Sequence, residues 1–256
     1  MKLNINTDYG AISPYSIMIT LAFIVGLYVQ CRLNFNRGIS RKTSFKLIMI
    51  SPAASIICAL LLTYYSSGGQ YIGLSSMGGL VGMYIGVLLS SVVHRNYGET
   101  RVMIENCTFT LPLMYSISKI GCLFAGCCHG IEYNGFLSLH YINVKGEEMT
   151  VFPVQLIETI VFFIIFVVGI VLYKMHSRKS LYMTFGLSVS AKFMLDFFRE
   201  SHNGKVLSLN QILCIVLIAA AIGIYWIYKR CQYKRYCLTE KLYNKKKNTE
   251  VTAMLK

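Results

Sequence analysis

The sequence predicts an all-α membrane protein with seven transmembrane helices, the N-terminus outside and the C-terminus cytoplasmic. Three observations predict it. Of the 256 residues, 55% are hydrophobic and only 14% charged, where a soluble domain carries about 25% charged residues. Seven apolar runs each approach the ~20 residues needed to cross a hydrocarbon core. Most of the 25 Lys and Arg fall on one side of that succession of runs, as the positive-inside rule requires of a multi-pass chain.

The runs lie at approximately 14–31, 46–66, 77–94, 108–126, 154–173, 181–198 and 208–228. Helices are the expected form, because a helix satisfies its own backbone in lipid. Residues 1–13 are polar with one basic residue, and the apolar run after them exceeds a signal-peptide core. The first span is therefore expected to remain as an anchor. Arg32, Arg37, Arg41, Lys42 and Lys46 follow the first run, and Arg95 and Arg101 follow the third. Lys174, Arg178 and Lys179 follow the fifth, and nine more Lys or Arg lie after residue 228. The opposite side holds only Lys2, Lys145, Arg199 and Lys205. Residues 1–228 thus read as a transmembrane domain and 229–256 as a basic cytoplasmic tail. The segments 67–76, 127–153 and 199–207 are expected at the outer face, where the functional site should open.

A net charge of +14 would suit nucleic acid. These basic residues instead flank apolar runs, where anionic lipid attracts them, so the membrane is the expected partner and nucleic acid is not.

Charges inside spans point to function or to pairing, because an unpaired charge in a bilayer is costly. Lys119, Glu158, Lys192 and Asp196 are such residues. Lys192 and Asp196 share one helix face at i, i+4, and Arg199 lies about one turn further. Two readings stay open: ion pairs that hold helices together, or a cationic pocket for a lipid phosphate. In the second, Arg199 supplies a bidentate fork, and the lysines act as point charges.

Gly78, Gly79, Gly82 and Gly86 form a small-residue stripe in the third run. Such stripes let membrane helices approach closely. A backbone opening towards a head group at Gly78-Gly79 is the other reading.

Cys122, Cys127, Cys128 and His129 cluster after Lys119. Cys-x4-Cys-Cys-His is not a standard zinc pattern, and adjacent cysteines chelate one ion awkwardly. No metal is expected. Packing or a disulfide stays open, as does a nucleophilic Cys128 beside His129, which no companion motif accompanies.

The ordered set of motifs resembles the prolipoprotein diacylglyceryl transferase family, in a divergent form of its Gly-Cys-Cys-Tyr-Gly branch. Pro14 to Ile19 is similar to the Tyr-Gly opening of the family's first span. Ser76-Met77-Gly78-Gly79 is similar to its His-Gly-Gly segment. Lys119-Ile120-Gly121-Cys122, onward to Gly130, is similar to its Gly-Arg-Ile-Gly signature. Phe152-Pro153-Val154-Gln155-Leu156-Ile157-Glu158 is similar to its Pro-Thr-Gln-Leu-Tyr-Glu segment. Lys192 to Arg199 is similar to its late Arg-x3-Glu-x2-Arg helix, and Gln211-Ile212-Leu213 to the start of its last span.

The resemblance implies transfer of a diacylglyceryl group from phosphatidylglycerol to a cysteine thiol of a prolipoprotein, in the bacterial inner membrane and without metal or soluble cofactor. It implies catalytic roles for Tyr15, Lys119, Glu158, Lys192 and Asp196, and substrate contacts for Gly78, Gly79, Gly121, Gly130, Gln155 and Arg199. The chain departs from the family pattern at Met77, which stands in place of His, and at Lys119 and Lys192, which stand in place of Arg. Asp196 stands in place of Glu, Cys122 in place of the commoner Asn, and the second-span Arg has no counterpart. A base would then come from His129 or His140. The alternatives are a non-catalytic relative that binds lipid or a partner peptide, and a transporter, whose paired broken helices are not evident here.

Overall fold

The computed structural model describes residues 5–7, 10–12, 14–70, 72–94, 97–142, 148–175, 177, 179–202, 206–226 and 229–230. Lys2, Arg95, Lys145, Glu147, Arg178, Lys205 and the tail from Cys231 onward lie outside them. The helices are α1 (Pro14–Asn36), α2 (Arg41–Ser66), α3 (Ser76–His94), α4 (Tyr97–Ala125), α5 (Val154–Lys174), α6 (Ser180–Leu195) and α7 (Leu209–Trp226). Two compact units divide the chain, Met1–Gln211 and Ile212–Lys256. The first holds α1 to α6 and every residue of the site described below.

Among the described residues, six helices, α1 to α5 and α7, are long and apolar enough to cross a membrane. The run expected at 181–198 gives a shorter helix. α6 has 16 residues, about 24 Å at the α-helical rise, and passes into a tighter 3-10 turn at Asp196–Phe198. The described residues also include two short antiparallel hairpins that the all-helical expectation omits. They pair β1 (Ile5–Thr7) with β2 (Gly10–Ile12) and β3 (Leu139–Ile142) with β4 (Glu148–Val151).

Several helices extend beyond their apolar runs. α2 begins at Arg41 rather than residue 46, and α4 at Tyr97 rather than 108. Polar contacts carry these extensions. Ser40 caps α2, its hydroxyl accepting from the Thr43 backbone N–H at 3.2 Å. Arg37 pairs with Glu105 at 2.5 Å and Arg101 with the other Glu105 oxygen at 3.0 Å. Asn106 donates to Asn34 at 2.8 Å.

α4 is the central helix, packing against α1, α3, α5 and α6. α2 and α3 form the other extensive pair. There the glycine stripe makes direct backbone contact. A Cβ on Gly78 would lie 2.5 Å from the Cys58 carbonyl, and one on Gly82 or Gly86 would strike the backbone of Ala54-Ser55 or Ser51. Between the helices Leu47, Met83, Val87, Met103 and Cys107 are fully buried. Large apolar side chains such as Ile57, Phe163 and Ile164 are exposed on the outer helix faces, as lipid-facing positions should be.

Candidate functional site

Glu158, on the second turn of α5, is the hub. Its side chain is fully buried, and Lys119, Lys192 and Arg199 around it are 2%, 4% and 6% exposed. Lys119 Nζ lies 3.1 Å from Oε2 and Lys192 Nζ 3.1 Å from Oε1. Arg199 Nη2 lies 2.7 Å from both oxygens. Tyr115 donates its hydroxyl to Oε1 at 2.8 Å and accepts from Lys192 at 2.9 Å. Its ring carries the two lysine ammonium groups at 5.1 and 5.3 Å from the centroid, within cation–π range. Phe162, one turn after Glu158, packs on Tyr115 at 4.3 Å between centroids.

Asp196 forms a second anionic point. Its Oδ1 is 3.8 Å from Lys192 Nζ, 3.5 Å from Arg199 Nε and 3.1 Å from the Asn210 amide, which donates to it. Ser208 donates to Oδ2. Ser208 also caps α7 in a reciprocal box: Gln211 N donates to the Ser208 hydroxyl at 3.2 Å, and Ser208 N donates to Gln211 Oε1 at 2.9 Å. Three cations and two carboxylates therefore share one buried cluster, with one formal positive charge left over.

Arg199 reaches the hub from outside any helix. The 3-10 turn ends at Arg199, whose backbone is extended at φ −90° and ψ 143°. That extended segment pairs with the loop after α4. Gly130 bridges Arg199, Ile131 N donates to Phe198 O at 3.0 Å, and Phe152 N donates to Ile131 O at 3.0 Å. A Cβ on Gly130 would lie 2.5 Å from the Phe152 carbonyl and 2.9 Å from that of Phe198. Only glycine fits between these two segments.

α4 ends in a Schellman motif. Gly126, at φ 68°, donates to Leu123 O and Cys127 N donates to Cys122 O at 3.2 Å. Cys128 is itself left-handed at φ 57°. The two turns fold Cys127 and Cys128 back over Cys122, so that the three sulfurs lie within 4.8 Å of one another. The neighbouring Cys122 and Cys127 thiols hold Cys128 below the usual thiol range, with Lys119 and Arg199 acting in the same direction. Gln155 ties this turn to α5, donating to Cys127 O at 2.9 Å.

The structure thus brings together Lys119, Glu158, Lys192, Asp196 and Arg199, with Gln155 one turn away on α5. Gly121 lies where α4 meets α1; a Cβ there would be 2.9 Å from Met18 Cβ and 3.3 Å from Tyr15 Cα. Gly78 lies in the α2–α3 contact, and the Gly79 carbonyl accepts from Ser55 at 2.9 Å. Met77 is buried, 3% exposed. His129 Nε2 is 3.3 Å from Glu200, and His140 on β3 bonds Thr150 at 3.2 Å.

Sequence reasoning missed Tyr115, Ser208 and Asn210. Tyr115 had one available signal, its i, i+4 spacing to Lys119, which puts both on one helix face. Ser208 and Gln211 had another, the Ser-x-x-Gln capping pattern.

Comparison with known proteins gives this arrangement its family. The chain is 26% identical over 239 residues to the phosphatidylglycerol–prolipoprotein diacylglyceryl transferase of Dehalococcoides mccartyi, covering 86% of this chain and 90% of that protein. It is 22% identical over 251 residues to phosphatidylglycerol–prolipoprotein diacylglyceryl transferase 2 of Clostridium perfringens, covering 90% and 96%. Residues 4–227 match the family described as prolipoprotein diacylglyceryl transferase. The chain, a multi-pass membrane protein by its apolar helices, belongs to the prolipoprotein diacylglyceryl transferase family.

Proposed function

We propose that this chain transfers the diacylglyceryl group of phosphatidylglycerol to the cysteine thiol of a prolipoprotein, at the outer face of a bacterial inner membrane. In this reading α6 is a seventh, short crossing. The N-terminus is outside, and residues 229–256 form a basic cytoplasmic tail. The observation that carries the proposal is the charge of the buried cluster. Three cations against Glu158 and Asp196 leave one positive charge, which a phosphodiester monoanion balances. Two buried atoms at the site support this reading. Among the described residues, Arg199 Nε and Gln155 Oε1 are buried without a hydrogen-bond partner. Buried donors and acceptors are nearly always paired. A phosphate oxygen satisfies the donor, and a glycerol hydroxyl satisfies the acceptor.

The chemistry follows from those roles. The thiolate of the acceptor is the nucleophile. It attacks the carbon that bears the phosphate oxygen; the S–C bond forms, the C–O bond breaks, and the electron pair leaves on glycerol phosphate. Lys119, Lys192 and Arg199 stabilise that developing charge. Glu158 and Tyr115 hold the three cations in register before substrate arrives. Tyr15 and Gly121 shape the α1–α4 side of the site, and Gly78 and Gly79 place α3 close on α2. In this proposal His129 is the proton acceptor: its Nδ1 donates to the Gly130 carbonyl at 3.2 Å, and Nε2, 3.3 Å from Glu200, takes the thiol proton, so that Glu200 stabilises the imidazolium that results.

The test is complementation. The chain is expressed in cells depleted of their own diacylglyceryl transferase, and the mass of a lipoprotein precursor is followed. The expected result is a diacylglyceryl mass increment that disappears with Lys119→Ala or Arg199→Ala. No increment from protein that is folded in the membrane would overturn the proposal.

A further inference from the structure

The Cys122, Cys127 and Cys128 thiols are not needed for the transfer described above. Their spacing matches no standard zinc pattern, yet the fold assembles them. We propose that these three cysteines form a binding site for one thiophilic metal ion, Zn2+.

The geometry is close to what such an ion needs. Zinc–sulfur bonds of ~2.3 Å in a tetrahedral site put neighbouring sulfurs about 3.8 Å apart. The three sulfurs lie within 4.8 Å of one another, so side-chain rotations of about 1 Å close the set. The backbone is already arranged for it. Neighbouring cysteines ordinarily point apart. The Schellman turn at Gly126 and the left-handed Cys128 bring their sulfurs to one side of the α4 terminus, over Cys122.

Access and surroundings fit as well. Cys122 is buried, Cys127 half-buried and Cys128 exposed, which gives an ion a path from the surface. The Gln155 amide fixes the Cys127 carbonyl at 2.9 Å, an outer contact of the kind that orients metal ligands. Three thiolates and Zn2+ carry one net negative charge, which the exposed position of Cys128 leaves open to solvent. Three protein ligands leave a fourth coordination position for water or another small ligand, as in zinc sites that are not purely structural.

The test uses the full chain, purified in detergent under reducing conditions and stripped with chelator. Zn2+ is titrated by equilibrium dialysis with elemental analysis, and Cd2+ is titrated by its thiolate charge-transfer absorbance. One equivalent should bind. Cys127→Ser and Cys128→Ser should each weaken binding by about 100-fold or more, at least the loss seen for outer-shell partners. The double variant Cys231→Ser, Cys237→Ser should bind as the parent does. Cys128 is exposed, so its substitution leaves the core intact. Binding unchanged in Cys128→Ser, or lost with the tail cysteines, would overturn the proposal. So would a disulfide among the three in protein taken from membranes, with no metal bound after its reduction.

Discussion

Arg199 Nη2 sits 2.7 Å from both carboxylate oxygens of Glu158, while its Nε faces Asp196 at 3.5 Å without a hydrogen bond. One guanidinium therefore joins both anions and keeps a donor in reserve. A lysine cannot do this: its ammonium is a point charge without a fork. Arg199→Lys should preserve most of the stability but lower the rate of lipidation by about 10²-fold, the scale of losing one charge-stabilising donor. Lipidation rates in membranes carrying equal amounts of each protein decide it. A rate within twofold of the parent contradicts the reserved donor.

Glu158→Gln removes the anion that three cations share. The cations remain buried with only Asp196 to balance them. Breaking a buried pair in this way costs about 3–5 kcal/mol. The expected outcome is a large fall in thermal unfolding temperature in detergent, together with loss of lipidation. Parent-like unfolding would show that lipid or water already compensates the hub.

Tyr115→Phe deletes one hydroxyl that donates to Glu158 and accepts from Lys192. The ring, its contact with Phe162 and both cation–π contacts remain. The cost should be about 1–3 kcal/mol, the penalty for leaving a buried partner unsatisfied. Denaturant unfolding of the two proteins side by side measures it.

Gly130→Ala places a methyl against the Phe152 and Phe198 carbonyls. Either the bridge to Arg199 opens or the outer loop shifts. Overpacking of this kind costs about 1–3 kcal/mol. Its signature should be lost lipidation at a modest loss of stability, because the segment that carries Arg199 moves while the helices stay. Retained activity would show that Arg199 is placed by α6 alone.

His129→Ala should abolish lipidation without changing the unfolding temperature by more than a degree or two, whereas His140→Ala should leave lipidation intact. His140 lies exposed on β3 and bonds Thr150. His129 lies at the junction with Arg199, its carbonyl accepting from Glu200 N. Equal activity of both variants would move the base elsewhere.

Much of this site was legible from residue type. Lys119, Glu158, Lys192 and Asp196 stand out because each is a charge in an apolar run, and such charges must find one another. The helices were legible for the same reason in reverse. Tyr115 was not, because a tyrosine in an apolar helix reads as packing until its hydroxyl is seen on Glu158. The helix ends at Arg41 and Tyr97 were hidden because hydropathy registers charge and not its partner: Glu105 pairs with both Arg37 and Arg101. The three cysteines were legible as a group, but the approach of their sulfurs was not, because linear spacing assumes ordinary backbone and the positive φ of Gly126 and Cys128 breaks that assumption.

The placement of the hub charges bears on how the protein is made. Lys119 is carried by α4 and Glu158 by α5, consecutive helices of the chain. A lone lysine or carboxylate at the middle of an inserting helix costs about 2.5–3.5 kcal/mol on insertion scales, less towards the helix end. α4 therefore enters the bilayer with its charge exposed only until the next helix delivers the counter-ion. Lys192 is carried by α6 with Asp196 one turn away, and Arg199 follows on the extended segment after it. Each of these charges thus has a partner on its own helix or on a neighbouring element of the chain.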